Sequence, residues 1–408
     1  MKKFFALLLS LAMVLALVAC GQKDPTPDKP DTPDDPQTKV EYKVAMITDY
    51  GDITDQSFNQ TTYEACKAFA EDNSIEFSYF KPAGDNTADR VAMIEKAVDE
   101  GFNVIVMPGY AFGGAIVEAA PEFPDVKFIA LDVAAGDLLE TAVAKAGETY
   151  DYTPENWDLN KYVDMSNVYC AVYQEELCGY MAGYAAVKLG YKNLGFLGGM
   201  AVPAVVRYGY GFVQGVDAAA ADLGLTDVKL NYIYGGQFFG DADITAVMDT
   251  WYQGGTEVVF ACGGGIYTSA VDAAKKANAK VIGVDVDQAG VIANYAGVEG
   301  MTVTSAMKGL YPATYDTLTD VIVNGNWDKY VGKIETLGLV SGTDPEANYV
   351  QIPMGDGTQW SDSFTQDDYK AMVADMFSGK ITVSNDTTKA PTDFATAITV
   401  NALGQIKG

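Results

Sequence analysis

The chain has 408 residues, with 27 Lys and Arg against 55 Asp and Glu, no histidine, and a formal charge of −28. So acidic a surface is a poor partner for nucleic acid, whose phosphate backbone is bound by clustered Lys and Arg. The absence of histidine removes the commonest general base and the His-dependent metal sites.

At the N-terminus Lys2 and Lys3 precede an apolar run from Phe4 to Ala19, broken only by Ser10, which ends on small residues before Cys20. This is the layout of a secretory signal peptide over residues 1–20, set aside when the fold is considered. The run is short for a membrane-spanning helix, which needs about 20 apolar residues. Leu17-Val18-Ala19-Cys20-Gly21 resembles the bacterial lipobox, which implies that Cys20 carries a lipid and heads the mature chain. Residues 21–40 bring five prolines among Asp, Lys and Thr with no periodic apolar pattern, and predict an extended linker.

The remainder is too long for one ordinary core and predicts two lobes. From Lys43 onward the pattern is strand then helix, repeated. Lys43–Thr48, Glu76–Phe80, Val104–Met107 and Lys127–Leu131 are apolar runs of strand length. Between them lie helical stretches over 57–71 and from Asn86 or Thr87 to Gly101, then a shorter one ended by Pro121. Residues 136–167 are polar and are expected to form an insertion at the lobe boundary. The alternation restarts with strands at 168–172, 193–197, 229–234, 258–261 and 280–284, separated by helices at 174–189, 205–223, 242–253 and 267–277. This rhythm predicts α/β architecture with two doubly wound parallel sheets. The expected division gives residues 41–165 and about 303–330 to an N-terminal lobe, and 166–302 and about 331–408 to a C-terminal lobe. Cys66, Cys170, Cys178 and Cys262 match neither a disulfide scaffold nor a zinc site, and are expected to be small apolar residues.

In such sheets ligands sit beyond the carboxyl ends of the strands. The strand-end loops are rich in Gly, Asp and aromatics and poor in bases. The chain has no Gly-x-Ser-x-Gly elbow and no Walker-type phosphate loop. Gly209-Tyr-Gly211-Phe-Val-Gln-Gly215 lies inside a predicted helix, and helix packing explains it better than a dinucleotide fingerprint. Asp49, Asp52 and Asp55 lack the spacing of a calcium loop and suit turns and helix caps. A carboxylate-only hydrolase would leave no sequence signature; no catalytic residue, metal or cofactor is assigned, and the chain is expected not to be an enzyme.

Several of these loops resemble the basic membrane protein family of ABC-transporter substrate-binding lipoproteins, whose best-understood members bind purine nucleosides. The resemblance is carried by Val44-Ala-Met-Ile-Thr-Asp49, Asp55-Gln-Ser-Phe-Asn-Gln60, Phe128-Ile-Ala-Leu-Asp132, Glu175-Glu-Leu-Cys-Gly-Tyr-Met-Ala-Gly183, Gly195-Phe-Leu-Gly-Gly199, Gly211-Phe-Val-Gln-Gly215, Ile282-Gly-Val-Asp-Val-Asp-Gln288 and Thr304-Ser-Ala-Met-Lys308. It implies a hinged, two-lobed periplasmic-binding-protein fold of type I, with a nucleoside held between lobes that close on it. It further implies that Asp49 and Phe58, with Asn59 beside them, hold the base, and that Asp132 adds a polar contact. Tyr208, where relatives commonly carry Phe, would be the second stacking aromatic, with Phe212 one turn away as the other candidate. Asp285 and Lys308 would engage the ribose hydroxyls, and Gly264, within a Gly-Gly-Gly loop, would let backbone approach the ligand. The partners so implied are a nucleoside, ABC permease subunits and, through Cys20, the outer face of the cell membrane; a monomer is expected. Stacking aromatics and Asp pairs suit pyranose rings equally well, so a sugar or signalling-sugar binding protein is an alternative. A surface receptor or adhesin of the same fold, working without transport, is another.

Overall fold

The computed structural model describes residues 41–407; the predicted signal peptide, linker and Cys20 lie outside them. Tyr42–Gly408 is a compact unit with its own cores. The first half alternates β1 (Lys43–Ile47), α1 (Phe58–Asn73), β2 (Glu76–Phe80), α2 (Thr87–Asp99), β3 (Val104–Pro108), α3 (Gly113–Ala119), β4 (Lys127–Leu131), α4 (Ala135–Lys145), α5 (Leu159–Tyr162) and β5 (Val168–Tyr173). There follow α6 (Glu175–Lys188), β6 (Asn193–Gly198), α7 (Pro203–Asp222), β7 (Lys229–Tyr234), α8 (Ala242–Gln253), β8 (Val258–Cys262), α9 (Tyr267–Ala277), β9 (Lys280–Asp285), α10 (Ala289–Ala296) and β10 (Thr302–Lys308). The chain ends with α11 (Leu310–Leu318), β11 (Ile334–Leu337), β12 (Val350–Gln351), α12 (Gln366–Phe377) and β13 (Thr399–Gln405).

Two sheets result. The first has strand order β11-β5-β4-β3-β1-β2 and is parallel throughout. The second runs β12-β10-β9-β8-β6-β7-β13, with only β12 antiparallel to its neighbour. Both therefore contain one winding, in which the second strand lies outside the first and the third returns to its other side. Central strands such as Val104–Pro108 and Val258–Cys262 are buried along their whole length, because helices cover both faces of a parallel sheet. Helix starts follow local chemistry: the Asn86 side chain accepts the Asp89 amide at 2.9 Å, as an N-cap does. The four body cysteines are free and buried.

The strand pairing corrects two expectations. Residues 136–167 are not an insertion at the lobe boundary: the first ten all belong to α4, in the ordinary crossover from β4 to β5 of one sheet. Strand β5, assigned to the C-terminal lobe, completes the first sheet, and β10, assigned to the N-terminal lobe, belongs to the second. A strand of either lobe has the same apolar composition, so composition does not mark where the chain changes sheet. The crossings fall at Gln174, at Gly309 and between Gly338 and Tyr349. They are bonded to one another: Gln174 N donates to Leu337 O at 3.0 Å, Tyr349 N to Gly338 O at 3.0 Å, and Gly309 N to Tyr349 O at 2.7 Å. After β11 the tail does return to the second lobe, where β13 covers the outer edge of β7.

The glycines of 209–215 serve helix packing as expected. A Cβ at Gly211 would stand 2.0 Å from Glu176 O, and one at Gly215 would stand 2.1 Å from Tyr180 O, both on α6. Among the described residues no helix is long and apolar enough to cross a membrane.

Candidate functional site: the cleft between the lobes

A winding reversal leaves a crevice outside the strand ends, because neighbouring connections run to opposite faces of the sheet. Here the reversals lie between β1 and β3 and between β6 and β8, and the loops after those strands face one another. They enclose a cavity of about 490 Å³, lined by residues from both lobes, within the range of small-molecule sites. All eight residues expected to touch a ligand line it: Asp49, Phe58, Asn59, Asp132, Tyr208, Gly264, Asp285 and Lys308.

At the first-lobe wall, Asp49 Oδ1 accepts the amides of Tyr50 at 2.6 Å and Gly51 at 2.7 Å and the Asn59 side-chain amide at 3.1 Å. Burial pushes the Asp49 carboxyl above its usual range, with these donors drawing it back. Gly109, after β3, packs on Asp49 with φ 124°, which only glycine adopts without strain. Asp55 organises the start of α1 by accepting the amides of Ser57, Asn59 and Gln60 at 2.9–3.1 Å. This fixes Phe58 and Asn59 on the first turn of α1. The Asn59 Oδ1 is buried without a hydrogen-bond partner, and an orphaned acceptor of this kind carries a desolvation cost of about 1–3 kcal/mol.

The hinge end of the cavity is built on charge. Lys308 closes β10 with its ammonium buried among three carboxylates: it pairs with Asp132 Oδ2 of the first lobe and lies 3.6 Å from both Asp285 Oδ1 and Glu175 Oε1. It also stands over the rings of Phe58, Tyr173 and Tyr208, at 4.7, 5.5 and 5.6 Å from their centroids. Burial alone would lower its pKa, but the surrounding carboxylates outweigh this and hold Lys308 above the ordinary lysine value. Burial raises Glu175, and Arg207 opposes that through a bond from Nε to Glu175 Oε2 at 2.7 Å. Burial likewise raises Asp285, opposed by Lys308 and by Ser57.

Tyr208 is buried. Its hydroxyl donates to Asp285 Oδ1 at 3.3 Å and its ring stands edge-on to Phe260. Phe212 is fully buried in the core and does not line the cavity, so of the two candidates Tyr208 is the one at the cleft. The sequence reading passed over Phe238, which also lines the cavity. Its ring packs on the next loops: a Cβ at Gly199 would meet it at 2.4 Å and one at Gly263 at 2.8 Å. The signal was present in Gly235-Gly-Gln-Phe-Phe-Gly240, another strand-end loop. Tyr50, Tyr110 and Arg207 are among the other lining residues. The arrangement offers flat aromatic faces, Phe58 among them, next to a dense set of charged donors and acceptors.

The chain was compared with known proteins. The model of the Bmp family, "ABC transporter substrate-binding protein PnrA-like", matches residues 42–343. The chain is 26% identical over 293 residues to the "ABC transporter nucleoside-binding protein BmpA" of Lactococcus lactis subsp. cremoris, covering 69% of this chain and 72% of that one. It is 26% identical over 320 residues to an "uncharacterized lipoprotein" of Pyrococcus abyssi, covering 74% and 69%. A crystal structure of an ABC transporter system solute-binding protein from Aeropyrum pernix superposes with a TM-score of 0.60 at 20% identity, covering 86% of this chain and 90% of that one. The superposition fixes the fold as that of the two-lobed solute-binding proteins. The family model takes in the first sheet, all of the second except β12 and β13, and every loop that meets at the cleft, and the chain belongs to the PnrA-like family of ABC transporter substrate-binding proteins.

Proposed function

We propose that this chain captures a purine nucleoside between its lobes and presents it to ABC permease subunits, held at the outer face of the cell membrane by a lipid on Cys20. The observation that carries the reading is the juxtaposition of Phe58 with Lys308, Asp132 and Asp285 in one cavity. A nucleoside has a flat base and a diol joined by one bond. Stacking on an aromatic contributes roughly 1–3 kcal/mol per base, and hydroxyls bond most strongly to charged partners. In this reading Phe58 and Phe238 flank the base, Asp49 and Asn59 read its edge, and Asp132, Asp285 and Lys308 hold the ribose, with the Gly264 backbone alongside. Tyr208 supports Asp285. The name of the Lactococcus relative and the lipobox-like Cys20 support the ligand class and the anchor.

Each lobe supplies contacts to the same ligand, so binding favours closure by differential affinity. The closed surface is then what a permease recognises, and an ATPase elsewhere supplies the energy. The test is uptake of labelled adenosine or guanosine by cells from which the chain has been deleted. Uptake should fall and be restored by the wild type but not by Cys20→Ser, which is shed to the medium. Undiminished uptake in the deletion strain, with no second importer of the class present, would rule the reading out.

A further inference from the structure

Ser57 occupies the N-cap of α1 yet makes no capping bond, because Asp55 already takes the amides of Asn59 and Gln60 that a cap would satisfy. The hydroxyl is thereby released, fully buried, and it reaches the other lobe, where Ser57 Oγ donates to Asp285 Oδ2 at 2.6 Å. The preceding Gln56 has φ 59°, and its carbonyl accepts Gln288 Nε2 at 3.3 Å. Gln288 is itself fixed: its Oε1 accepts Val284 N at 2.9 Å and its amide donates to Ser305 Oγ at 3.1 Å. Gln56 and Ser57 of one lobe thus clasp Gln288 and Asp285 of the other, through bonds separate from those that join the three hinge crossings.

We propose that Ser57 is a positioning residue for the ligand site: its hydroxyl fixes the Asp285 carboxylate and ties the two lobes together in the closed state. The proposal rests on the reading of Asp285 as a ligand contact. Asp285 is left-handed, with φ 64°, and its carboxylate can accept about four hydrogen bonds. Ser57 holds Oδ2, while Tyr208 and Lys308 lie on the side of Oδ1. A ligand hydroxyl therefore meets a carboxylate whose rotation is already fixed. The Ser57 bond can form only when the lobes meet, so it stabilises closure without touching the ligand. Its loss should speed ligand release and leave encounter unchanged.

The test is Ser57→Ala in the chain from Tyr42 onward, with thermal unfolding as the control for folding. Spin labels on cysteines introduced at the exposed Lys67 and Lys275, one on each lobe, report lobe separation without interference from the buried native cysteines. In the absence of ligand, Ser57→Ala should shift the distance distribution toward the open form. With guanosine or adenosine, dissociation should quicken about tenfold while association changes little, as for loss of a hydrogen bond to a charged group. Unchanged separation in the folded variant would overturn the proposal whatever the ligand. An unchanged dissociation rate of a nucleoside that binds the wild type would also overturn it. The separation arm uses no ligand, so failure of the nucleoside reading alone would appear as absence of binding with the shift in separation intact.

Discussion

Asp132 and Asp285 stand at corresponding places in the two lobes, each at the end of its sheet's fourth strand in winding order, and each has a positive φ, 60° and 64°. Outside glycine that conformation is uncommon and is best tolerated by Asn and Asp; strain of this kind collects at functional sites. Here it turns both carboxylates toward a single ammonium, Lys308. Glu176 shows the opposite case, a buried carboxyl with no such partner. Its Oε2 has no hydrogen bond, and burial, with Glu175 beside it, raises its pKa to about 7. An unfolded chain would ionise it near the ordinary value of 4.5. The folded state favours the protonated form, so the stability it offers is present below about pH 4.5 and lost as pH rises to about 7. Glu176→Gln should therefore raise the melting temperature at pH 8, and the gain should shrink as pH falls toward 4.5. A gain independent of pH in paired thermal scans would show that ionisation is not involved.

At the scale of elements, the first turn of α1 joins fold and site. Asp55 holds three amides there, and Phe58 and Asn59 ride on the turn it fixes. Asp55→Ala should lower stability by about 0.5–2 kcal/mol, as loss of a cap does, and should also weaken ligand binding, although Asp55 is not proposed to touch the ligand. Denaturant unfolding alongside binding measurements separates the two effects. Much of this level was legible in the sequence. The apolar runs Glu76–Phe80, Lys127–Leu131 and Lys229–Tyr234 are strands with the expected bounds, as Ala242–Gln253 and Tyr267–Ala277 are helices, because strand runs and capped amphipathic stretches are local signals. Strands β11 and β12 were not legible: they are four and two residues long, and pairing with a neighbour already in place creates them. The exchange of β5 and β10 between lobes escaped because a strand of either lobe has the same apolar composition. At the site, Asp49, Asp132 and Asp285 stand in strand-end loops that the apolar runs mark, but their roles, and Lys308 altogether, come from the family resemblance. Glu175 and Arg207 sit within helices, where spacing does not distinguish a buried ion pair from a solvated face.

For the whole molecule, three crossings joined by hydrogen bonds on one side and a cleft on the other are the arrangement of a hinge between two lobes. Among the described residues the contacts across the cleft are largely polar, and they include Lys308 with Asp132 and over the Phe58 ring, Ser57 with Asp285, Gln288 with Gln56, and the Tyr110 hydroxyl with Met200 Sδ at 3.6 Å. Such contacts contribute modestly to closure, so a ligand engaging both lobes can decide the balance. Phe58, Phe238 and the charged cradle of Asp132, Asp285 and Lys308 line one cavity, and that they hold a nucleoside together is the reading proposed above. It is tested most directly by calorimetric titration of the chain from Tyr42 onward, stripped of co-purified ligand by reversible unfolding, with adenosine, guanosine, inosine and uridine and with ribose and glucose as controls. One saturable site for purine nucleosides is expected, with little heat from either sugar and affinity reduced by roughly 1–3 kcal/mol in Phe58→Ala with the fold intact. Heat from a sugar and none from any nucleoside, or full affinity in Phe58→Ala, would contradict it.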